Sequence, residues 1–344
     1  MTQSRGGFAV LLLLGAALAP ATCGADDGLS LCARLENADE RLACYDEFAR
    51  ETESPSAGPV DTSPSPSHLT EAWKLDDENR GVRHLTDILE YRPNYIIARW
   101  TNNPNIRPNS PAPGHAAVEH ISRSEVKVQG SFKTELISRQ AFDQAGITQV
   151  LSPIGIDSVR LWFGYTQKMN WQAFNNSESR PIRETNYEPE AILTLGTGNQ
   201  GNGFKLINLG LTHESNGLQQ SEHRSWNRVY AQGGWEWDRL SVLARVWRRI
   251  PEAADDNPDI NDYLGRGDLV TRYQTEGGYV TSVLLRRSLQ AGRGLVQLDF
   301  ATPLLKSLGA LRFHVQISSG YGETLIDYNH EQTTIGVGVS FGDW

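Results

Sequence analysis

Three side-chain types that can build a nucleophile lie close together in T-H-E-S-N-G-L-Q-Q-S-E-H-R-S-W-N-R, residues 212–228. His213 and Ser215 are two apart, and Asn227 follows fourteen residues after the histidine. A serine hydroxyl is a weak nucleophile until a neighbouring imidazole takes its proton, and a third group must hold the imidazole in the useful tautomer. His213 is the candidate base, Ser215 the candidate nucleophile and Asn227 a neutral orienting group. The bland alternative is a polar loop rim with a fortuitous His-x-Ser. Geometry decides between the two, so the elements that carry these residues come next.

From about residue 90 onward, segment after segment alternates at period two, the pattern of strands with one apolar face. In S-V-R-L-W-F-G-Y, Val159, Leu161, Phe163 and Tyr165 share a face. In L-R-F-H-V-Q-I, Leu311, Phe313, Val315 and Ile317 oppose Arg312, His314 and Gln316. In T-I-G-V-G-V-S-F, Ile335, Val337, Val339 and Phe341 alternate with Gly and Ser. Twelve such segments are read, near 92–101, 125–137, 158–171, 187–197, 203–213, 225–235, 239–250, 262–274, 276–287, 292–301, 310–320 and 333–343. Most approach the 9–11 residues that a tilted membrane strand needs. The expected fold is all-β, a 12-stranded antiparallel transmembrane β-barrel with a small N-terminal helical appendage. The faces opposite the apolar ones carry Arg, Gln, Lys and His, as a barrel interior does, and the chain ends on the aromatic Trp344.

An even strand number places both termini of the barrel on one side, expected to be periplasmic. Outer loops are then long and inner turns short. The connections after the first, third, fifth, seventh and eleventh segments are long and polar; those after the fourth, sixth, eighth and tenth are short. The connection at 138–157 and the short one after the ninth segment break the rule.

In the fifth segment Ile207, Leu209, Leu211, His213 and Ser215 share one parity, so the histidine and serine lie on the apolar, lipid-facing side. A hairpin centred on Gln220 sets 213 opposite 227 and 215 opposite 225. Directly opposed residues have Cβ atoms about 4.5–5.5 Å apart. Asn227 shares parity with Val229 and Ala231, so all three polar groups can meet on the outside of the barrel near its outer rim. Polar groups there are costly unless satisfied. Backbone N–H groups of Ser215 and Gly217 are candidates to stabilise an oxyanion.

The first residues, with one Arg, a short apolar run and then small residues, read as a secretory signal peptide over 1–25, cleaved after Ala21 or Ala25. The residues before Cys23 fit a lipoprotein signal poorly. Cys32 and Cys44 lie in a stretch of helical composition, 26–50, and in an oxidising compartment are expected to form a structural clip. Residues 51–89, Ser/Pro-rich to about 68, read as a linker and periplasmic lead-in, and 90–344 as the barrel. The 344-residue chain has a formal net charge of -9, which argues against nucleic-acid binding.

H-E-S-N-G followed by R-S-W-N-R resembles the signature of outer membrane phospholipase A. So do R-E-T-N-Y-E-P at 183–189, D-D-N-P-D-I at 255–260 and S-G-Y-G-E-T-L-I-D-Y-N at 319–329. The motifs occur in the family order and the resemblance spans roughly residues 90–344. It implies a twelve-stranded enzyme that hydrolyses acyl esters of phospholipids and lysophospholipids at sn-1 and sn-2, needs calcium and acts as a homodimer in outer-membrane lipid. It assigns Ser215 as nucleophile, His213 as base and Asn227 as orienting residue. Calcium contacts map onto the carbonyls of Ser179 (from the partner subunit) and Leu218 and onto a side chain at position 223, and Asp256 marks a further site; without the resemblance Asp255 and Asp256 read as a plain turn. The family usually offers a serine oxygen at position 223; this chain has His223, and imidazole suits calcium poorly. Ser221 or Glu222 could substitute. The region through residue 68 is expected to have no counterpart in the family. Two other classes remain: a small pore or structural barrel, marked by conductance and indifference to Ser215→Ala, and a soluble secreted β-hydrolase, marked by extraction without detergent.

Overall fold

The computed structural model describes residues 37–52, 67–75, 87–108, 121–175, 182–218, 222–304 and 310–342. The signal peptide, Cys32, Ser179, Ser221 and Trp344 lie outside the described residues. The chain divides into a unit of residues 1–65 and a unit of residues 66–344. In the first, α1 (Ala38–Thr52) has Asp39 and Glu40 in its first turn, where carboxylates favour the helix dipole. Cys44 on α1 is disulfide-bonded.

The second unit is a closed antiparallel barrel of twelve strands. They are β2 (Asn94–Thr101), β3 (Ser124–Ile137), β4 (Ser158–Trp171), β5 (Ile182–Gly196), β6 (Gly203–Ser215), β7 (Ser225–Trp237), β8 (Leu240–Ile250), β9 (Gly267–Gln274), β10 (Val280–Arg287), β11 (Gly294–Pro303), β12 (Leu311–Gly320) and β13 (Gln332–Phe341). A three-residue strand, β1 (Ile88–Glu90), precedes them and pairs with β3 alone. Each barrel strand pairs with the next. The circle closes where Val337 of β13 faces Ala98 of β2 and Phe341 faces Asn94, so the barrel begins and ends on one rim. The long connection at 138–157 sits on that rim and is not loose. It folds as α3 (Arg139–Gln144), α4 (Ile147–Leu151) and a 3-10 turn over Ser152–Ile154, with Ser138 accepting from the Ala141 N–H at the start of α3.

Period two becomes inside and outside. On β6, Leu209 and Leu211 are exposed while Asn208 and Thr212 are buried. Trp100 and Trp171 lie at the far rim and Trp237, Tyr273 and Phe341 at the near one, all exposed, forming the two aromatic girdles of a membrane barrel. The inward side chains fill the lumen by pairing with each other. Arg99 reaches Glu125 at 3.0 Å and Glu323 at 2.8 Å, and Lys127 reaches Glu323 at 2.9 Å. Arg228 bridges Glu188 at 2.9 Å and Glu214 at 3.0 Å. Leaving one such partner unpaired in the interior would be strongly destabilising.

The near end of the lumen holds a plug that the reading of 51–89 as linker and lead-in does not include. Residues 68–73 form α2 (His68–Trp73) inside the barrel unit. Leu69, Trp73 and Leu75 pack on Trp162, Ile192 and Leu206, and Lys133 Nζ lies 3.6 Å from the Trp73 ring centre. The Glu236 carboxylate accepts the His68 and Leu69 N–H groups, both at 2.8 Å. At the far end, the connection between β12 and β13 turns inward. Leu325 and Tyr328 there pack with Ile260 and Leu264 of α5 (Ile260–Leu264) and with Trp226 and Trp247.

That inward connection is held electrostatically. Burial pushes the Glu323 carboxyl up, but the Arg99 guanidinium and Lys127 ammonium outweigh it and hold its pKa at about 2, against 4.5 ordinarily. A folded-state pKa below the unfolded one contributes stability above the unfolded value and loses it as pH falls through the folded one. The urea midpoint of the barrel in micelles is therefore expected to fall between pH about 4.5 and about 2. Glu323→Gln should remove that part of the acid dependence; an unchanged pH profile in the variant would show that Glu323 carries none of it.

Candidate active site

The hairpin of β6 and β7 carries the candidate residues, and its register is the one a turn about Gln220 dictates. His213 faces Asn227, and Ser215 faces Ser225. Neighbours along the strands point the other way. Glu214 accepts the Trp226 indole N–H at 2.9 Å and an Arg228 N–H at 3.0 Å, all inside the barrel. The alternation of H-E-S and W-N-R thus splits one hairpin into a lumenal anchor and an outward edge that carries the candidate residues.

On the outward edge His213 Nδ1 lies 2.9 Å from Asn227 Oδ1. An amide oxygen only accepts, so Nδ1 carries the proton and Nε2 keeps its lone pair. Ser215 is half-buried, two residues on and on the same face. Its hydroxyl makes no hydrogen bond among the described residues, so the Ser–His contact is not formed at rest, and such contacts often tighten only with substrate bound.

The loop beyond Ser215 is pinned by a residue the sequence reading passed over. Asn216 is buried, and its Oδ1 accepts the Leu218 N–H at 3.3 Å and the Arg224 N–H at 2.9 Å, while its Nδ2 donates to the Glu222 carbonyl at 2.7 Å. This closes the loop on itself and permits Gly217 its left-handed conformation at φ 63°. A Cβ at Gly217 would lie 3.0 Å from the Tyr187 ring, on the residue that pairs with Ser215 from β5. Among the described residues, the Gly217 N–H has no partner.

A second layer comes from the connection after β8. Asn227 Nδ2 donates to Glu252 Oε1 at 2.5 Å, and the Ser225 hydroxyl donates to Glu252 Oε2 at 3.3 Å. The fully buried Asn257 accepts the Ser225 N–H at 3.1 Å. Asp255 accepts from Arg249 at 2.5 Å and from the Asn257 N–H at 3.1 Å. D-D-N-P-D-I therefore folds against the start of β7, and its Asp259 takes the Tyr328 hydroxyl at 2.5 Å. R-E-T-N-Y-E-P meets S-G-Y-G-E-T-L-I-D-Y-N across the lumen. Arg183 is bidentate on Asp327, both bonds 2.8 Å, and Glu184 accepts the Ile326 N–H at 2.7 Å. These motifs support the site from behind.

Of the residues expected around a metal, His223 and Asp256 meet: Nδ1 lies 2.5 Å from Oδ2, both side chains about one-third exposed. Leu218 is half-exposed at the loop. No cluster of three or more His, Cys, Asp or Glu side chains that could hold a metal exists among the described residues.

The profile of the family described as Phospholipase A1 matches residues 69–341. The chain belongs to this family. A putative phospholipase A1 of Neisseria meningitidis is 33% identical, covering 91% of this chain and 90% of its own length. The phospholipase A1 of Escherichia coli K12 is 36% identical, over 74% of this chain and 81% of its own. Among solved structures, the Salmonella typhi outer membrane phospholipase dimer with bound calcium superposes with a TM-score of 0.63 at 31% identity, covering 76% of this chain and 95% of that one. An E. coli outer membrane phospholipase A, an active-site mutant with alanine for asparagine, gives 0.63 at 31%, covering 77% and 95%. This phospholipase is thus an outer-membrane β-barrel enzyme that hydrolyses phospholipids. One expectation is corrected. The Neisseria match covers 91% of the chain, more than residues 69–344 can supply, so part of the region before residue 69 does have a counterpart in a relative.

Gly217→Ala in this phospholipase should cost about 1–2 kcal/mol of left-handed backbone strain, before any shift of Tyr187. If the loop conformation is required in the reaction, hydrolysis in micelles should fall roughly five- to thirtyfold with the barrel still folded. Full activity in Gly217→Ala would mean that the loop conformation is irrelevant to the chemistry.

Proposed function

We propose that Ser215, His213 and Asn227 perform the hydrolysis on the lipid-facing edge of the β6–β7 hairpin, at the membrane's outer surface. The carrying observation is the 2.9 Å contact of His213 Nδ1 with Asn227 Oδ1, two residues from a serine on the same face. The Ser215 hydroxyl oxygen attacks the ester carbonyl carbon, and His213 Nε2 takes its proton. The negative charge on the carbonyl oxygen falls to backbone donors, for which the Gly217 N–H is suited. His213 returns the proton to the departing lysophospholipid oxygen, and a water releases the acyl group by the same two steps. The proposal takes in sn-1 and sn-2 esters and lysophospholipids as substrates. The active-site asparagine of the E. coli relative supports the role given to Asn227.

Oxygen donors on this hairpin and the next suit calcium. The Leu218 carbonyl is such a donor, with the Ser179 carbonyl of the partner subunit as a second, and the Asp256 carboxylate marks a further site. His223 departs from an all-oxygen set and acts through its contact with Asp256 rather than as a ligand. Bound there, calcium would add positive charge beside the developing oxyanion. The calcium and the dimer that the Salmonella structure is described as having support extending both to this chain, active as a homodimer. Both ends of the barrel on the rim of short turns support periplasmic termini.

Fatty-acid release from phospholipid in detergent micelles tests this. Wild type with calcium should hydrolyse, while chelation or Ser215→Ala should reduce the rate by about 10³-fold or more. Retained activity in Ser215→Ala would overturn the nucleophile; retained activity with chelator present would overturn the metal requirement. His223→Ser, which restores a hydroxyl oxygen, is expected to lower the calcium concentration at half-maximal rate, and an increase would count against the oxygen-ligand argument.

A further inference from the structure

We infer that Glu252 is a positioning residue of the catalytic set, a fourth member that fixes which way the Asn227 amide points. This rests on the triad reading above. Asn227 Nδ2 donates to Glu252 Oε1 at 2.5 Å while Oδ1 faces His213 Nδ1 at 2.9 Å. A neutral amide has a weakness in the third position that a carboxylate lacks. Its two ends are nearly the same size, and a flip of the side chain would present a donor to the imidazole instead of an acceptor. The imidazole would then place its proton on Nε2 and lose the lone pair that must take the serine proton.

A carboxylate removes the ambiguity because it only accepts. With Glu252 against one end of the amide, only the NH2 end can face it, and the oxygen is left for His213. The charge also polarises the amide, which strengthens the Oδ1 acceptor when the ring becomes positive. Glu252 is itself held, since its second oxygen accepts the Ser225 hydroxyl at 3.3 Å. The same connection is anchored by Asn257 to the Ser225 N–H. The arrangement gives a Ser–His–Asn set part of the electrostatics of an acidic third member while keeping the formal charge one residue further from lipid.

A glutamine at position 252 is nearly isosteric but offers both a donor and an acceptor, so it pairs with either amide orientation. Glu252→Gln and Glu252→Ala should therefore lower kcat by about ten- to a hundredfold with little change in KM. The decisive measurement is the same change made in an Asn227→Asp background. An aspartate has no orientation to fix, and Glu252 then sits against a like charge. Glu252→Ala should raise kcat there, reversing the sign it has with Asn227. A loop-packing role predicts an equal loss in both backgrounds, and that result, or an unchanged kcat in Glu252→Gln, overturns the inference. Barrel folding is followed by the heat-modifiable gel mobility of each variant. Ser215→Ala separates the two levels. Activity surviving in Ser215→Ala sinks the triad reading itself, whereas its loss together with full activity in both Glu252 variants sinks only the role of Glu252.

Discussion

A strand in hydrocarbon cannot leave a backbone N–H or carbonyl without a partner, because no water is there to replace it. The pairing of β13 with β2 satisfies the last edge, and everything else follows from that closure. A closed sheet has an inside, and strict alternation sends every second residue there. The inward set of this chain is dense in Arg, Lys, Glu and Asp, so those side chains must neutralise each other. They do so in chains such as Arg99–Glu323–Lys127 and Glu188–Arg228–Glu214. The lumen is consequently a packed ionic core, capped at one end by α2 and at the other by the inward β12–β13 connection.

That core anchors the β6–β7 hairpin from its inward side. Trp226, Glu214 and Arg228 lock the inward face of the same residues whose outward neighbours are His213, Ser215 and Asn227. Reactive groups on a lipid-facing surface have few protein atoms around them, so their geometry must come from behind and from the side. The lumen supplies the first. The β8–α5 connection supplies the second, through Glu252 and Asn257.

Polar groups on a lipid face also need partners of their own. His213 satisfies one nitrogen on Asn227, Asn227 satisfies its NH2 on Glu252, and Glu252 takes the Ser225 hydroxyl. The polar chain runs from the outward edge of the hairpin toward the aqueous loops, where a carboxylate is least costly. Placing an amide rather than an acid next to the imidazole is consistent with the same constraint.

Alternation in the sequence was enough to define the barrel, since side-chain period is a local property of each strand. The twelve barrel strands begin and end within a few residues of the segments read from it, except before β5 and β10, where polar or glycine-rich ends blur the pattern, and before β9, where residues 262–264 belong to α5. Symmetry about Gln220 likewise fixed the pairing of His213 with Asn227, because a hairpin's register depends only on where it turns. The plug was not legible. A six-residue helix at the end of a Ser/Pro-rich stretch carries too short a pattern, and its value lies in Trp162, Leu206 and Glu236, far along the chain. Glu252 was not legible either, being a lone acid in a loop twenty-five residues from Asn227. His223 was in view, but its pairing with Asp256 was not; Asn216 carried no signal of its own. The sequence by itself determined what repeats along a strand or mirrors about a turn. Only the tertiary structure decided which distant loops close over the hairpin, because contacts between separate connections leave no period to read.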